Sequence, residues 1–504
     1  MNSRPLKLRL ALPHESVTLL TSERRVDHRQ IAAASLRVAR ALRARGLVRG
    51  DRVLWVVRSS VDAALVLAGA LRAGLVVVPA NAGYQEAELA HVLADSGANL
   101  IVVEEPGPVV DAVAGDVPVL TCAALVRAEP DELDCGSAGE VDVNDGLDDS
   151  LDDDLALLIY TSGTTGRAKG CGHTWRSLAA GVDALMQRWQ VSPGDVVVHA
   201  LPLFHVHGLC VALLGAWSAG AGTLLLPRFS PEAVIDAVAR GGTVLMSVPT
   251  MVHRLIQHLD QHPEDAAVLA RLRLWTCGSA ALPAAQLSAV RDRTGVTILE
   301  RYGMSETLIT LSNPLVGERR PGAVGWPLDG VEVRVVGDEL WVRGPMVMKG
   351  YWRRPDADRD VFVDDAAGGA RWFKTGDVVD VDGDGCVRVV GRASQDILKV
   401  GGYKLSAREI EDALAAHEDV AEVAVVGVPD DEWGERVCAV VVARPGRSPT
   451  LASLQAAVHL HEAKKPRALL LLPTLPRNAM GKVLKHELKA VAREQSWPTT
   501  TTTR

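Results

Sequence analysis

Short runs of Val, Leu and Ile recur along this chain and alternate with longer stretches in which apolar residues return every three or four positions. Residues 52–57, 75–78, 100–103 and 196–200 are mostly apolar runs of the length of a buried strand. Beside them, residues 62–73 and 86–94 carry the Ala/Leu-rich mixture of helices with one apolar face. Strands apolar on both faces, alternating with helices, predict layered α/β structure on largely parallel sheets. Towards the C-terminus the pattern changes. Val381-Asp-Gly-Asp-Gly-Cys-Val387 reads as a hairpin with glycines at its turn, residues 407–416 as an amphipathic helix and 420–426 as a strand. A boundary is expected within Gly391-Arg-Ala-Ser-Gln-Asp396, leaving about 110 residues for a small α+β domain. The expected organisation is a large N-terminal domain of layered α/β subdomains over residues 1–392, a C-terminal domain over 393–496 and a disordered polar tail over 497–504. The acidic stretch 129–154 reads as a solvated loop.

Composition narrows the function classes. At 504 residues the chain is too long for one core. A net charge of −8 without a basic stripe argues against a nucleic-acid partner. Cysteines at 122, 135, 171, 210, 277, 386 and 438 form no C-x-x-C pair, so neither a zinc site nor a disulfide framework is indicated. The N-terminus has no signal-like apolar region, and no run approaches the roughly 18 apolar residues of a membrane helix. A cytoplasmic protein without a membrane partner is expected.

The most informative segment is Tyr160-Thr-Ser-Gly-Thr-Thr-Gly-Arg-Ala-Lys-Gly170, which follows the apolar run 155–159. Its glycines let backbone N–H groups approach an anion, Thr161, Ser162, Thr164 and Thr165 add hydroxyl donors, and Lys169 adds a mobile charge. This is phosphate-binding chemistry, although it does not fit the Walker spacing.

Further motifs follow in a fixed order: Leu201-Pro-Leu-Phe-His-Val-His-Gly208, Cys277-Gly-Ser-Ala-Ala-Leu-Pro283, Glu300-Arg-Tyr-Gly-Met-Ser-Glu-Thr307, Lys374-Thr-Gly-Asp377, Gly391-Arg392, Lys399-Val-Gly-Gly402 and Pro476-Arg-Asn-Ala-Met-Gly-Lys482. Together they resemble the adenylate-forming superfamily of acyl-CoA synthetases, peptide-synthetase adenylation domains and luciferases, from about residue 30 to about residue 490. The resemblance implies ATP, Mg²⁺ and coenzyme A, and an acid activated as its adenylate before a thiol displaces AMP. An anionic carboxylate must approach an anionic triphosphate, so cations and oriented N–H donors should dominate catalysis. By the same resemblance Thr161, Ser162, Gly163, Thr164, Thr165, Gly166 and Lys169 hold phosphates, and Glu306 with Thr165 serves Mg²⁺. Ser279, Ala280, Ala281, Glu300, Tyr302, Gly303 and Ser305 line the nucleotide, Asp377 and Arg392 hold the ribose, and Lys482 is the catalytic lysine. Gly401 and Gly402, with Lys399, would line the thiol tunnel, where absent side chains leave room for pantetheine. The small domain would alternate between two orientations about a hinge at Gln395 or Asp396.

For the acid, Arg254 and Arg301 matter most. Two arginines in an acyl pocket are costly unless an anion joins them. With His205, His207, Ser279 and Met304 they resemble the malonyl-CoA synthetase branch, in which matching arginines hold a distal carboxylate. The bland reading is that Arg254 points outward from a helix and Arg301 pairs with Glu300. His205 and His207, at i and i+2, could share one face of a strand as metal ligands, but no third ligand is evident and pocket wall is the preferred reading. Where many relatives have Thr-His after the phosphate loop, this chain has Cys171-Gly-His173-Thr-Trp175. The expected function is ligation of malonate, or a small 2-substituted malonate, to coenzyme A. Alternatives are another small acid, a carrier-protein thiol as acceptor, or a non-catalytic nucleotide-binding protein.

Overall fold

The computed structural model describes residues 5–11, 13–128, 152–161, 167–365, 368–393, 396–400, 403–430, 433–458, 464–478 and 482–495. The tail 497–504 and nearly all of the acidic stretch 129–154 lie outside them. The chain divides into two compact units, Met1–Val333 with Val342–Phe373, and Arg334–Trp341 with Lys374–Arg504.

In the first unit the apolar runs become the centres of two sheets. One runs, edge to edge, through Gly350–Tyr351, Lys169–Thr174, Leu155–Thr161, Val76–Asn81, Arg52–Val57, Leu100–Val103 and Val119–Thr121. Its members from Leu155–Thr161 onward are parallel, whereas Lys169–Thr174 returns antiparallel to Leu155–Thr161. The other carries Leu299–Met304, Leu274–Cys277, Val244–Ser247, Val196–His199 and Gly222–Leu225 in parallel, with antiparallel strands at both margins. The central strands Arg52–Val57, Leu100–Val103, Val244–Ser247 and Leu274–Cys277 are buried on both faces and read as mostly apolar runs for that reason. Helices such as Val61–Arg72 and Pro249–Gln261 connect them, the second burying Val252, Leu255 and Leu259 against a core that includes Trp275.

This order of strands positions the site. The segments 200–207, 248–254, 278–281 and 301–306 all leave, or lie at, the carboxyl ends of neighbouring parallel strands, and 162–168 leaves the end of Leu155–Thr161. In open α/β sheets that edge is where ligands bind, because loops there converge outside the strand ends.

The second unit is α+β. Val420–Asp430 and Gly434–Ala443 form a long antiparallel pair, and the other edge of the latter is met by Ile397–Val400 at Gly434 and by Ala468–Leu471 over Cys438–Val441. Along Gly434–Ala443 the side chains alternate between two cores. Val437, Ala439 and Val441 pack with Ile410 and Leu414 of the helix Ala407–Ala415, and Cys438 and Val440 with Leu488 and Ala492 of the helix Lys485–Arg493. The hairpin expected at 381–387 forms, Val381 opposite Val387 and Asp377 opposite Arg392. Ser406 and Arg408 bond to the carbonyls of Val390 and Val389, which ties the hairpin to this unit. Among the described residues no helix is long and apolar enough to cross a membrane.

Candidate active site

On the phosphate side, Lys169 opens the strand Lys169–Thr174 with its Nζ 4.7 Å from the centre of the Tyr351 ring. Tyr351 Oη donates to Glu306 Oε1 at 2.9 Å, so lysine, ring and carboxylate form a continuous line. Glu306 is buried on the turn that follows Leu299–Met304. Gly303 in that strand has no room for a side chain, since a Cβ would stand 2.0 Å from the Leu308 carbonyl oxygen. Burial pushes the Cys171 thiol up, and the Glu306 charge adds to the effect. Thr161 ends its strand nearby, and Ser162, Gly163, Thr164, Thr165 and Gly166 lie outside the described residues.

On the acyl side, Arg301 is 5% exposed, and its Nε and Nη2 have no hydrogen-bond partner. It packs on the backbone of Gly278, where a Cβ would stand 2.4 Å from Cζ of the arginine. Burial lowers the guanidinium to about 10, so it stays charged at neutral pH. His207 is also buried, with Nδ1 3.3 Å from Ser279 Oγ and Nε2 unpartnered. Burial, reinforced by Arg301, holds its pKa well below the usual histidine range, so it is neutral. Burial likewise lowers His205 to about 4, and its ring leans on Phe204 with centroids 4.3 Å apart. Ser279 takes a left-handed backbone, φ 69°, a local strain of the kind that collects at functional sites. A buried, charged guanidinium with two N–H groups unpartnered can receive an anion.

In the second unit Arg392 Nε meets Asp377 Oδ1 at 3.0 Å, and the Asp377 N–H donates to Thr375 Oγ1. The Arg392 N–H in turn donates to Asp396 Oδ2 at 2.9 Å. Lys482 sits at the base of a loop closed by Arg477 opposite Val483 and by its own N–H to Asn478 Oδ1. Desolvation and then the Arg392 charge lower its pKa, with Asp396 and Asp377 opposing them.

The family model for AMP-binding enzymes matches residues 10–352, and that for the AMP-binding enzyme C-terminal domain matches residues 409–482. The chain belongs to the AMP-binding enzyme family. It is similar to the mitochondrial malonate–CoA ligase ACSF3 of Bos taurus, 36% identical over 96% of this chain and 90% of that one. It is also similar to the malonate–CoA ligase of Arabidopsis thaliana, 37% identical over 88% of this chain and 78% of the relative. Among solved structures it resembles ATP-bound MatB from Rhodopseudomonas palustris, with a TM-score of 0.86 and 35% identity over 97% of this chain and 99% of that chain.

Within this AMP-binding enzyme the expected site residues fall into groups. Lys169 and Glu306 come together through Tyr351, with Ser305 in the same turn and Tyr302 and Met304 half-buried just before it. Arg301, His207 and Ser279 form a second cluster, and Asp377, Arg392, Asp396 and Lys482 a third. Ala280 and Ala281 are exposed in the loop after Gly278. Arg254 is not brought to Arg301. It is exposed on Pro249–Gln261 and stacks on Phe229 at 5.0 Å, because the buried stripe of that helix runs through 251, 252, 255 and 259. Glu300 turns to the other side of its strand, where Oε2 accepts from the Gly322 N–H at 2.8 Å. The histidine pair does not share the face of a strand, since His207 opens the wide helix His207–Leu214. Lys399 is exposed, its N–H bonded to Glu435, and Gln395, Gly401 and Gly402 lie outside the described residues.

Three residues escaped the sequence reading. Tyr351 lies in no motif. His173 stood out only as a departure after the phosphate loop, yet its Nε2 is 2.6 Å from the Ser305 carbonyl. Lys485, three residues beyond Lys482 and the first residue of the helix Lys485–Arg493, has Nζ 2.6 Å from Asp396 and 2.7 Å from Glu411. For Mg²⁺ the donor set fits. Among the described residues no group of three or more His, Cys, Asp or Glu could cage a metal. A single carboxylate such as Glu306, completed by substrate phosphates and water, is how Mg²⁺ is commonly held.

Proposed function

We propose that this AMP-binding enzyme is an ATP- and Mg²⁺-dependent ligase that joins malonate, or a small 2-substituted malonate, to coenzyme A. The observation that carries the acid is Arg301, buried and charged with two N–H groups unpartnered beside a neutral His207. A buried guanidinium without a counter-charge is expensive, and a pocket for a simple fatty or aryl acid gains nothing from it. A second carboxylate on the substrate would satisfy it with charge-assisted bonds. Arg254 would join only by leaving the Phe229 ring.

One carboxylate oxygen of the acid attacks the α-phosphorus, and pyrophosphate leaves. The thiolate of coenzyme A then attacks the acyl carbon, and AMP leaves. In this reading Lys169, with residues 161–166, steadies the β- and γ-phosphates, and Asp377 accepts from the ribose hydroxyls with Arg392 holding it in place. Tyr302 flanks the base, and Lys482 neutralises the attacking carboxylate and the α-phosphate. Glu306 with Thr165 would hold Mg²⁺, which would supply charge neutralisation on the phosphates. Gln395 or Asp396 is the hinge in this scheme, and Gly401 and Gly402 line the thiol path.

AMP release with ATP, Mg²⁺ and coenzyme A, measured on malonate, methylmalonate, succinate, acetate, propionate and benzoate, tests the reading. Turnover confined to malonates is expected. Turnover on monocarboxylates alone would remove the substrate and keep the chemistry. AMP release that requires a carrier-protein thiol instead would change the acceptor. The cytoplasm is part of the same proposal, supported by the six cysteines among the described residues, all free and buried, and cell fractionation tests it.

A further inference from the structure

The strand Lys169–Thr174 presents Lys169, Cys171 and His173 at alternate positions, so the three share one face. Lys169 meets the Tyr351 ring and Cys171 lies within the field of Glu306. His173, 0% exposed, reaches the Ser305 carbonyl through Nε2 at 2.6 Å, while Nδ1 lies 3.2 Å from Ser177 Oγ. A carbonyl oxygen only accepts, so Nε2 carries the proton and Nδ1 is the acceptor. The Ser177 hydroxyl beside Nδ1 also reaches the Thr174 carbonyl at 3.0 Å, so the Ser305 contact alone sets the tautomer.

The turn that carries Glu306 is held by several bonds. Thr307 N–H bonds to the Met304 carbonyl at 3.2 Å, Met348 N–H to the Glu306 carbonyl at 2.8 Å, and Tyr351 Oη to the carboxylate. His173 adds a bond from the strand leading out of the phosphate loop to this turn.

We propose that His173 is a positioning residue for adenylate formation: its Nε2–H holds the Ser305 carbonyl and thereby fixes the Glu306 carboxylate relative to the Lys169 strand. The proposal rests on the reading of Glu306 as the Mg²⁺ carboxylate.

The test compares the full chain with His173→Met, which fills the space without a donor, and His173→Gln, which keeps an N–H at similar reach. Glu306→Gln is the reference. Two quantities are read against Mg²⁺ concentration: the thermal shift on adding ATP, and the rate of acid-dependent pyrophosphate release. Thioester formation from a preformed acyl adenylate and coenzyme A is measured alongside. His173→Met should raise the Mg²⁺ requirement about 10–100-fold in both readouts, the usual effect of losing a partner behind a metal ligand. The thioester step should hold, and His173→Gln should recover most of the Mg²⁺ effect. A folded His173→Met with an unchanged Mg²⁺ requirement overturns the proposal, as do equal losses in both half-reactions for both variants. Should the methionine variant not fold, His173→Asn, whose amide stops short of Ser305, takes its place with the same two outcomes deciding. An unchanged Mg²⁺ requirement in Glu306→Gln removes the Glu306 reading itself, and the proposal with it.

Discussion

A guanidinium enclosed without a carboxylate partner is tolerable only if something pairs with it during part of the working cycle. Arg301 meets that description, and Gly278 beneath it has no space for even a methyl group. Replacing Arg301 with Met removes the charge but keeps much of the apolar stem. We expect Arg301→Met to weaken kcat/KM for malonate by about 2–5 kcal/mol, the range for losing one side of a buried charged pair. Propionate, with no second carboxylate, should change little. Equal losses on both acids would end the dicarboxylate argument. His173 offers a separate check. Its pKa is about 4 in the folded chain, by burial, against 6.5 for the free group. Between those values the unfolded chain binds the extra proton, so stability is intact above pH 6.5 and drains away as pH falls towards 4. The slope from this residue is at most about 1.4 kcal/mol per pH unit. Urea midpoints between pH 7 and pH 4.5 should fall less steeply in His173→Gln than in the parent, and parallel slopes would refute the assignment of a neutral buried imidazole.

At the scale of elements, the helix Lys485–Arg493 is fastened to the second unit by its first residue as well as by its apolar face. Lys485 Nζ stands between Asp396 and Glu411 at 2.6 and 2.7 Å, and its side chain is 14% exposed. Burial pushes both carboxylates up; it prevails at Glu411, whereas at Asp396 the Lys485 charge and the Arg392 N–H outweigh it. Lys485→Met leaves two enclosed carboxylates facing one another and should cost about 3–5 kcal/mol. Adding Asp396→Asn and Glu411→Gln should recover much of that loss in denaturant unfolding. A single mutant as stable as the parent would show that the triad contributes nothing. None of this was legible from residue order, because the three partners lie far apart in the chain and each alone is an ordinary surface type. What was legible had a period. The runs at 52–57 and 100–103 became buried strands with the same limits, and the hairpin at 381–387 was marked by its glycines. Arg254 was readable too, since the stripe 251, 252, 255, 259 excludes it from the buried face. The motif resemblance outweighed that simpler pattern. The wide helix at His207 had no signal, although Gly208, whose Cβ would stand 2.1 Å from the Pro202 carbonyl oxygen, marks where the chain must close up.

For the whole molecule, the residues with nucleotide roles in the proposed mechanism are divided between the units: Lys169, Tyr302 and Glu306 belong to the first, and Asp377, Arg392 and Lys482 to the second. The two half-reactions make different demands on that division. Forming the adenylate concentrates negative charge at the α-phosphate, so it needs every cation available, and Lys482 is the one described lysine whose pKa is lowered by desolvation and by a neighbouring arginine. Forming the thioester expels AMP from an adenylate already made, with no pyrophosphate to stabilise. Lys482→Ala should therefore reduce acid-dependent pyrophosphate release on the order of 10²–10³-fold, the scale of removing one preorganised electrostatic group. Conversion of a preformed malonyl adenylate to its CoA thioester should continue near the parent rate. Pyrophosphate release followed by single-turnover quench, beside thioester formation from supplied adenylate, separates the steps without depending on KM. Parallel loss in both would mean that Lys482 holds the nucleotide in general and has no particular role in the first step. Retention of both would remove it from the chemistry and leave Lys169 and Arg301 as the cations on which adenylation depends.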